Sequence, residues 1–320
     1  MTAVTLALAG DTMLGRKVAE AIDRDGPEGL FADEVIALTR SADLFVLNLE
    51  CCISSRGSPW PDPRKPFFFR APPEATEVLT RLGVDCVTLA NNHALDFDRV
   101  ALLDTLEHLR GAGIRWVGAG RNRDEAMAPV ILERNGFRLG VIGCSDHPAD
   151  TAAGPTRPGI AYVDLRQGVE WLPEAIAGLE ADAVLVTPHW GPNMNPEPLP
   201  YVRRTAAALR EAGATLVAGH SAHVFQGVEP AILYDLGDFV DDYAVDAKRR
   251  NDLGLLFFVT LDEEGPPRVE AVPLKLEYCH TRLAAGEDAA WIRERFRAAC
   301  AALGTEVGED DGRLVVDWRS

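Results

Sequence analysis

Short apolar runs alternate with longer amphipathic stretches from residue 3 to about residue 260. Runs rich in Val, Leu and Ile occupy residues 4–9, 44–49, 84–90, 139–144, 183–188 and 214–218. Their length and composition predict strands. Between them the period changes. In "RVALLDTLEHLR", residues 99–110, Val100, Leu103, Leu106 and Leu109 recur every three residues and make one helix face, which "GAG" ends. Segments 170–180 and 201–212 read the same way, and "TMLGRKVAEAI" after Asp11 reads as a helix start. Such alternation predicts a layered α/β fold, with sheets covered by helices.

Two stretches break the pattern. Residues 54–73, "SSRGSPWPDPRKPFFFRAPP", are too rich in Pro and Arg for either element and are expected to form a long ordered loop over a site. Residues 145–160, rich in Gly and Pro, predict a second surface loop. After residue 253 the runs "LGLLFFVTLD", "RVEAVPLKLEY" and "RLVVDW" predict strands, with the helix "DAAWIRERFRAACAALG" between the last two. The expected organisation is a core over residues 1–252, completed within the same domain by residues 253–320.

The ends of the apolar runs carry the chemistry. "VTLALAG" ends at Asp11, "LFVLNL" at Glu50, "VDCVTLA" at Asn91-Asn92-His93, "AVLVTP" at His189, and "ATLVAG" at His220 with His223 three residues on. In layered α/β folds the carboxyl ends of strands share one edge, where ligand sites collect. The strands therefore deliver Asp, Glu, Asn and three His to one place. That mixed oxygen and nitrogen set is the kind used by Mn, Fe or Zn. It is too large for one open catalytic ion and about right for two divalent ions sharing a carboxylate. Taken singly, these residues have plainer uses: Asp11 or Asn92 as helix caps, Glu50 as a partner of Arg56 or Arg70, His189 as a packed core histidine. The joint pattern favours metal. His108 and His280 fall outside it, whereas His147 in "CSDHP" also follows a strand and is a candidate substrate-side group. Asp235 and Asp238 read as a turn.

Charge and cysteine content narrow the classes. A net charge of −17 argues against a nucleic-acid partner and disfavours polyanionic substrates unless bound metal reverses the local field. No stretch approaches the roughly 20 apolar residues of a membrane span, and "AVTLALAG" is too short and lacks the basic flank of a signal peptide. Cys86 and Cys144 lie inside apolar runs, and no C-x-x-C pair occurs. A reducing cytoplasm is the expected location.

With these residues assembled, the chain resembles the CapA family of poly-gamma-glutamate capsule biosynthesis proteins, within the calcineurin-like metallophosphoesterase superfamily. The resemblance spans about residues 4–245 and rests on "GDTMLGR", "NLE", "FRAPPE", "LANNHALD", "GAG", "HWG", "GHSAHVFQGVE" and "YDLGDF" in that order. It implies a four-layered α/β/β/α sandwich with a dinuclear metal centre. Position by position, it implies that Asp11 and His223 hold the first metal. Asn92, His189 and His220 hold the second, Glu50 bridges, and His93 protonates the leaving group. Many superfamily members begin Asp-x-His, whereas Asp11 here is followed by Thr12 and Met13. The family's "GNF" is "GDF" at Asp238, and no acidic residue follows "HWG" at Asn193. The known capsule proteins are membrane-anchored, and no anchor is read in this chain.

The expectation is a soluble metal-dependent hydrolase, with phosphoester hydrolysis first and gamma-glutamyl or other peptide-like amide chemistry second. A non-catalytic accessory of poly-gamma-glutamate assembly is the third reading. An anionic substrate group would be held by Arg70, with Arg56 or Arg64 beside it, and Asn91 and His147 would complete the substrate side.

Overall fold

The computed structural model describes residues 3–262 and 264–318. Among them, two β-sheets of ten and six strands lie face to face. The larger is built around Val4–Thr12, which pairs in parallel with Leu44–Leu49 and antiparallel with Leu253–Asp262. Cys86–Thr88 and Arg115–Val117 extend it in parallel on one side, and Gly265–Glu277 and Arg313–Asp317 extend it on the other. The smaller sheet centres on Phe137–Ser145, Ala183–His189 and Leu216–Ala218, all parallel.

Side-chain alternation explains the layers, because successive residues of a strand face opposite sides. Leu6 and Leu8 point into the space between the sheets, where they meet Leu139, Val141, Leu185 and Leu216 of the facing sheet. Ala7 and Ala9 point the other way, onto helices Arg16–Asp25, Asp33–Ser41, Ala75–Leu82 and Asp98–Gly111 through Val18, Val35, Leu79 and Leu106. On the far side, Val184 and Val186 pack under Leu172–Ala177 and Pro200–Glu211 through Ile176, Val202 and Leu209. Three apolar interlayer cores therefore separate helices, sheet, sheet and helices, the expected α/β/β/α sandwich. The C-terminal helix Gly286–Ala301 contributes Ile292, Phe296 and Cys300 to the central core.

The expected runs are all strands, with shifted ends: Val4–Thr12 carries Asp11 inside its last turn of pleat, and Ala183–His189 ends on His189 itself. The helix expected over 170–180 is confined to Leu172–Ala177. Residues 54–73 are irregular apart from Arg70–Ala71, which pairs with Cys52–Ile53. All six cysteines are buried free thiols. Among the described residues, no helix is long and apolar enough to cross a membrane.

Candidate metal centre

The carboxyl ends of both sheets' parallel strands meet at one edge. Asp11, Glu50, His93, His189, His220 and His223 are all buried there, between 0% and 6% exposed. His189 and His220 are joined by a parallel bridge, so adjacent strands of the smaller sheet present their imidazoles side by side. Their Nδ1 atoms lie 2.7 Å apart, and His189 Nε2 lies 2.9 Å from Asn92 Oδ1. Asp11 Oδ2 is 3.1 Å from His223 Nδ1, and Asp11 Oδ1 is 4.0 Å from His220 Nδ1. Glu50 Oε1 is 4.0 Å from His223 Nε2 and 3.8 Å from His93 Nε2. Ser221 and His223 hold positive φ, 120° and 58°, a strained backbone of the kind retained where a loop must aim its side chains.

Among the described residues, two trios have ligand atoms within 4.8 Å of one another: Asp11 with His189 and His220, and Asp11 with His223 and Asp238. Asp11 is common to both. Glu50, which the resemblance makes the bridging group, faces His223 and His93 and shares the Asn48 amide with Asp11. Asp238 is not a bystander in a turn, because its Oδ1 is 2.9 Å from His223 Nδ1. Asp235 does serve the turn, accepting from the backbone N–H groups of Ala222 and Gly237.

The donor set fits divalent cations. Glu50 Oε1 and Asp238 Oδ2 are buried with no hydrogen-bond partner, and each such atom costs about 1–3 kcal/mol or more when left so. Burial, and then repulsion from Asp11, push the Glu50 carboxyl well above its usual range. Burial opposes the charged form of Asp11 as well, but hydrogen bonding and attraction from His223 outweigh it and bring that carboxyl down to about 2. Burial brings His220 down to about 4 and His189 well below its usual value, which keeps both rings neutral and available as ligands. His223 is also opposed by burial, yet Asp238, Asp11 and Glu50 hold its pKa well above normal. Carboxyls whose ionisation burial opposes, set beside the neutral His189 and His220 rings, are a donor set that a cation would satisfy.

A cavity of about 570 Å³ opens beside the cluster, lined by Lys65, Phe67, Asn92, His93, Met194, His223 and Tyr243 among others. The Pro-rich stretch does lie over the site, as expected: Lys65 and Phe67 form one wall, and the Phe69 ring packs edge-on against His93 at 4.5 Å. His93 Nδ1 is 2.6 Å from Asp96 Oδ2, and Lys65 Nζ is 2.8 Å from Asp96 Oδ1. Burial depresses the His93 pKa against the pull of Asp96.

The substrate-side residues fare differently. Arg70 does not reach the cavity. Parallel pairing with Cys52 fixes its backbone, and its guanidinium lies over the Phe97 ring at 4.1 Å and donates to the Arg56 and Gly57 carbonyls. Arg56 pairs with Asp104 and Arg64 with Asp62. Asn91 is buried framework: it donates to Asn48 Oδ1 and the Leu49 carbonyl and accepts from the His93 N–H. His147 stands at the rim, its ring 5.1 Å from that of His189 and its Nδ1 on Asp146.

Several functional neighbours escape a reading of strand ends. Asn48 donates to Asp11 Oδ1 at 2.7 Å and to Glu50 Oε2 at 3.0 Å, which orients both carboxylates. One signal for it was present: a lone amide in "LFVLNL", two residues before Glu50 and so on the same strand face. Asp96 had the signal of lying three residues after His93. Lys65 and Tyr243 had none, because their loops are irregular.

The family model described as "Bacterial capsule synthesis protein PGA_cap" matches residues 5–243. The chain belongs to this capsule synthesis family. Over 95% of its length it is 28% identical to a Mycobacterium tuberculosis protein named "Probable polyglutamine synthesis accessory protein", of which it covers 93%. Over 85% it is 27% identical to the "PGA biosynthesis protein CapA" of Bacillus subtilis, of which it covers 72%. Among solved structures, a novel phosphatase from Mycoplasma pneumoniae shares the fold at a TM-score of 0.53 and 15% identity, covering 86% of this chain and 94% of that one. The PGA_cap match thus contains Asp11, Glu50, Asn92, His93, His189, His220 and His223, and also Asp238. The likeness to that solved structure is one of fold.

Proposed function

We propose that this PGA_cap protein is a metal-dependent hydrolase that cleaves a phosphoester. The observation that carries the proposal is the juxtaposition of His93 with the buried carboxylate and imidazole cluster at the floor of one cavity. Asp11, Glu50, Asn92, His189, His220 and His223 would hold two divalent ions. Such ions, when bound, activate water at neutral pH and neutralise charge on a phosphoryl or acyl centre. The protein's own groups supply the rest. Asp96, 2.6 Å from His93 Nδ1, accepts that nitrogen's hydrogen bond and favours the doubly protonated ring, so that Nε2–H, its proton taken up from solvent, would face the cavity and pass that proton to a leaving oxygen. Lys65 ties Asp96 to the Asn92 carbonyl and so sets the spacing between His93 and the cluster. Phe67, Phe69 and Tyr243 wall the site with apolar surface, which lowers the local dielectric and strengthens these interactions. The substrate would be a small anionic molecule.

Family membership favours one second reading: action on a gamma-glutamyl or peptide-like amide during poly-gamma-glutamate synthesis, since paired-metal sites also serve acyl centres. Elemental analysis of wild type and His220→Ala separates the metal readings from a metal-free accessory role. Close to two ions per chain, reduced in the variant, is expected. No metal after incubation with Mn or Zn would end the hydrolase proposal. A panel of phosphoesters and amides with Mn supplied then decides the bond, and His93→Ala should lower turnover by about 10²–10⁴-fold while leaving metal content unchanged.

A further inference from the structure

We propose that Asp238 is a direct ligand of the cation held by Asp11 and His223, making that half of the centre oxygen-rich and suited to Mn²⁺. The inference rests on the metal-dependent reading above and adds a residue to it. Asp238 is 2% exposed. Its position beside Asp11 is built into the backbone: the two residues are direct partners in a parallel pairing, and the Asp11 N–H donates to the Gly237 carbonyl at 2.9 Å. The remaining geometry shows what the side chain faces. His223 Nδ1 sits 2.9 Å from Asp238 Oδ1 and 3.1 Å from Asp11 Oδ2. One ring N–H cannot satisfy two carboxylates well, and an ion in its place can take all three atoms, which already lie within 4.8 Å of one another. Ligand atoms about 2.0–2.2 Å from a common ion are separated by at most about 4.4 Å, and His223 Nδ1 already lies within that span of both carboxylate oxygens. The second oxygen, Asp238 Oδ2, is buried and has no partner. Met13, two residues after Asp11, is fully buried and brings no oxygen or nitrogen donor from its side chain. The place is thus short of a donor from its own strand and supplied with one from Asp238. Carboxylates from Asp11 and Asp238, with Glu50 nearby, make a hard-oxygen set of the kind that suits Mn²⁺.

A plainer role must be excluded: Asp238 as a hydrogen-bond partner that merely orients His223. Loss of a partner of that kind also weakens metal binding about 10- to 100-fold, so affinity alone does not decide. Two variants do. EDTA-stripped wild type, Asp238→Asn and Asp238→Cys are reloaded with Mn²⁺ or Co²⁺, after a cooperative melt has shown each to be folded. The expected result has three parts. Wild type binds two Mn²⁺. Asp238→Asn loses at least about tenfold affinity for one of them while keeping the other. Asp238→Cys loaded with Co²⁺ shows a near-ultraviolet thiolate-to-cobalt charge-transfer band that loaded wild type lacks. Two Mn²⁺ bound with wild-type affinity by Asp238→Asn overturns the proposal and leaves the metal centre standing. Weakened Mn²⁺ binding in Asp238→Asn without the cobalt band in Asp238→Cys also overturns it, and makes Asp238 the orienting partner of His223. Wild type that binds no metal overturns this proposal and the hydrolase reading together.

Discussion

Gly10 shows how little room the centre leaves at the scale of a single residue. A Cβ there would fall 1.9 Å from the Gly237 carbonyl oxygen, and that carbonyl is already committed to the Asp11 N–H. Neither strand can move without displacing Asp11 or Asp238. Gly10→Ala is therefore expected to destabilise the fold by about 3 kcal/mol or more, read as a shift in the urea midpoint. Asp96 is a positioning residue of another kind, because it acts through His93. Asp96→Asn should slow phosphoester turnover by up to about 10²-fold with little change in KM or metal content, which steady-state kinetics and elemental analysis would show together. An equal loss of metal would mean that Asp96 supports the cluster and not the proton donor. At this scale the sequence was informative where chemistry stood at the end of a strand, as at Asp11 and His189. At Arg70, expected from its place on the Pro-rich loop to hold an anionic group, the side chain stacks on the Phe97 ring and donates to two carbonyls.

Among elements, the C-terminal helix is the clearest case of tertiary placement. Its apolar residues Ile292, Phe296 and Cys300 follow helical spacing, which the sequence shows. That they enter the space between two sheets is a consequence of Leu253–Asp262 returning antiparallel beside Val4–Thr12. The helix start is pinned by Asp288, whose oxygens lie 2.6 Å from Arg250 and 3.4 Å from Lys275. Hydrogen bonding and attraction from Arg250, with Lys275 adding to them, hold this carboxyl below its ordinary 3.8. A depressed carboxyl stabilises the fold above its unfolded pKa, and the stabilisation is lost as pH falls through the folded value. Asp288→Asn should thus cost under about 1 kcal/mol at pH 7, since the pair is partly solvated, and the cost should shrink below about pH 4. Urea midpoints at pH 7, 4 and 3 would test this. A gap that widens on acidification contradicts it.

For the molecule as a whole, the net charge of −17 and the concentration of carboxylates at one edge act together. Asp11, Glu50, Asp235 and Asp238 are all buried within the region where both sheets end. Burial and mutual repulsion oppose their ionisation and raise the free energy of the folded state, and cations bound to the folded chain would offset this. Ligand at about a thousand times its dissociation constant adds ~4 kcal/mol to stability, so the Mn-loaded protein should melt clearly above the EDTA-treated one. Equal melting temperatures would mean that the centre is built to stand empty. The layered architecture sets where this occurs, because parallel strands of two different sheets direct their carboxyl ends to the same side.

What the sequence determined by itself was the alternation of strands and helices and the identity of the groups at strand ends. Both are local: period and run length report which face a residue occupies, and a polar residue that closes an apolar run stands out against it. Strands apolar on both faces, such as "VTLALAG", carry no mark of which neighbour each face meets. Only the tertiary structure decided that Leu6 and Leu8 look toward the second sheet and Ala7 and Ala9 toward the helices. It likewise placed Asp238 beside Asp11, gave the cavity wall to Lys65 and Tyr243, and kept Arg70 outside. Those outcomes depend on pairing between segments up to more than 200 residues apart, and no local pattern encodes a partner at that distance.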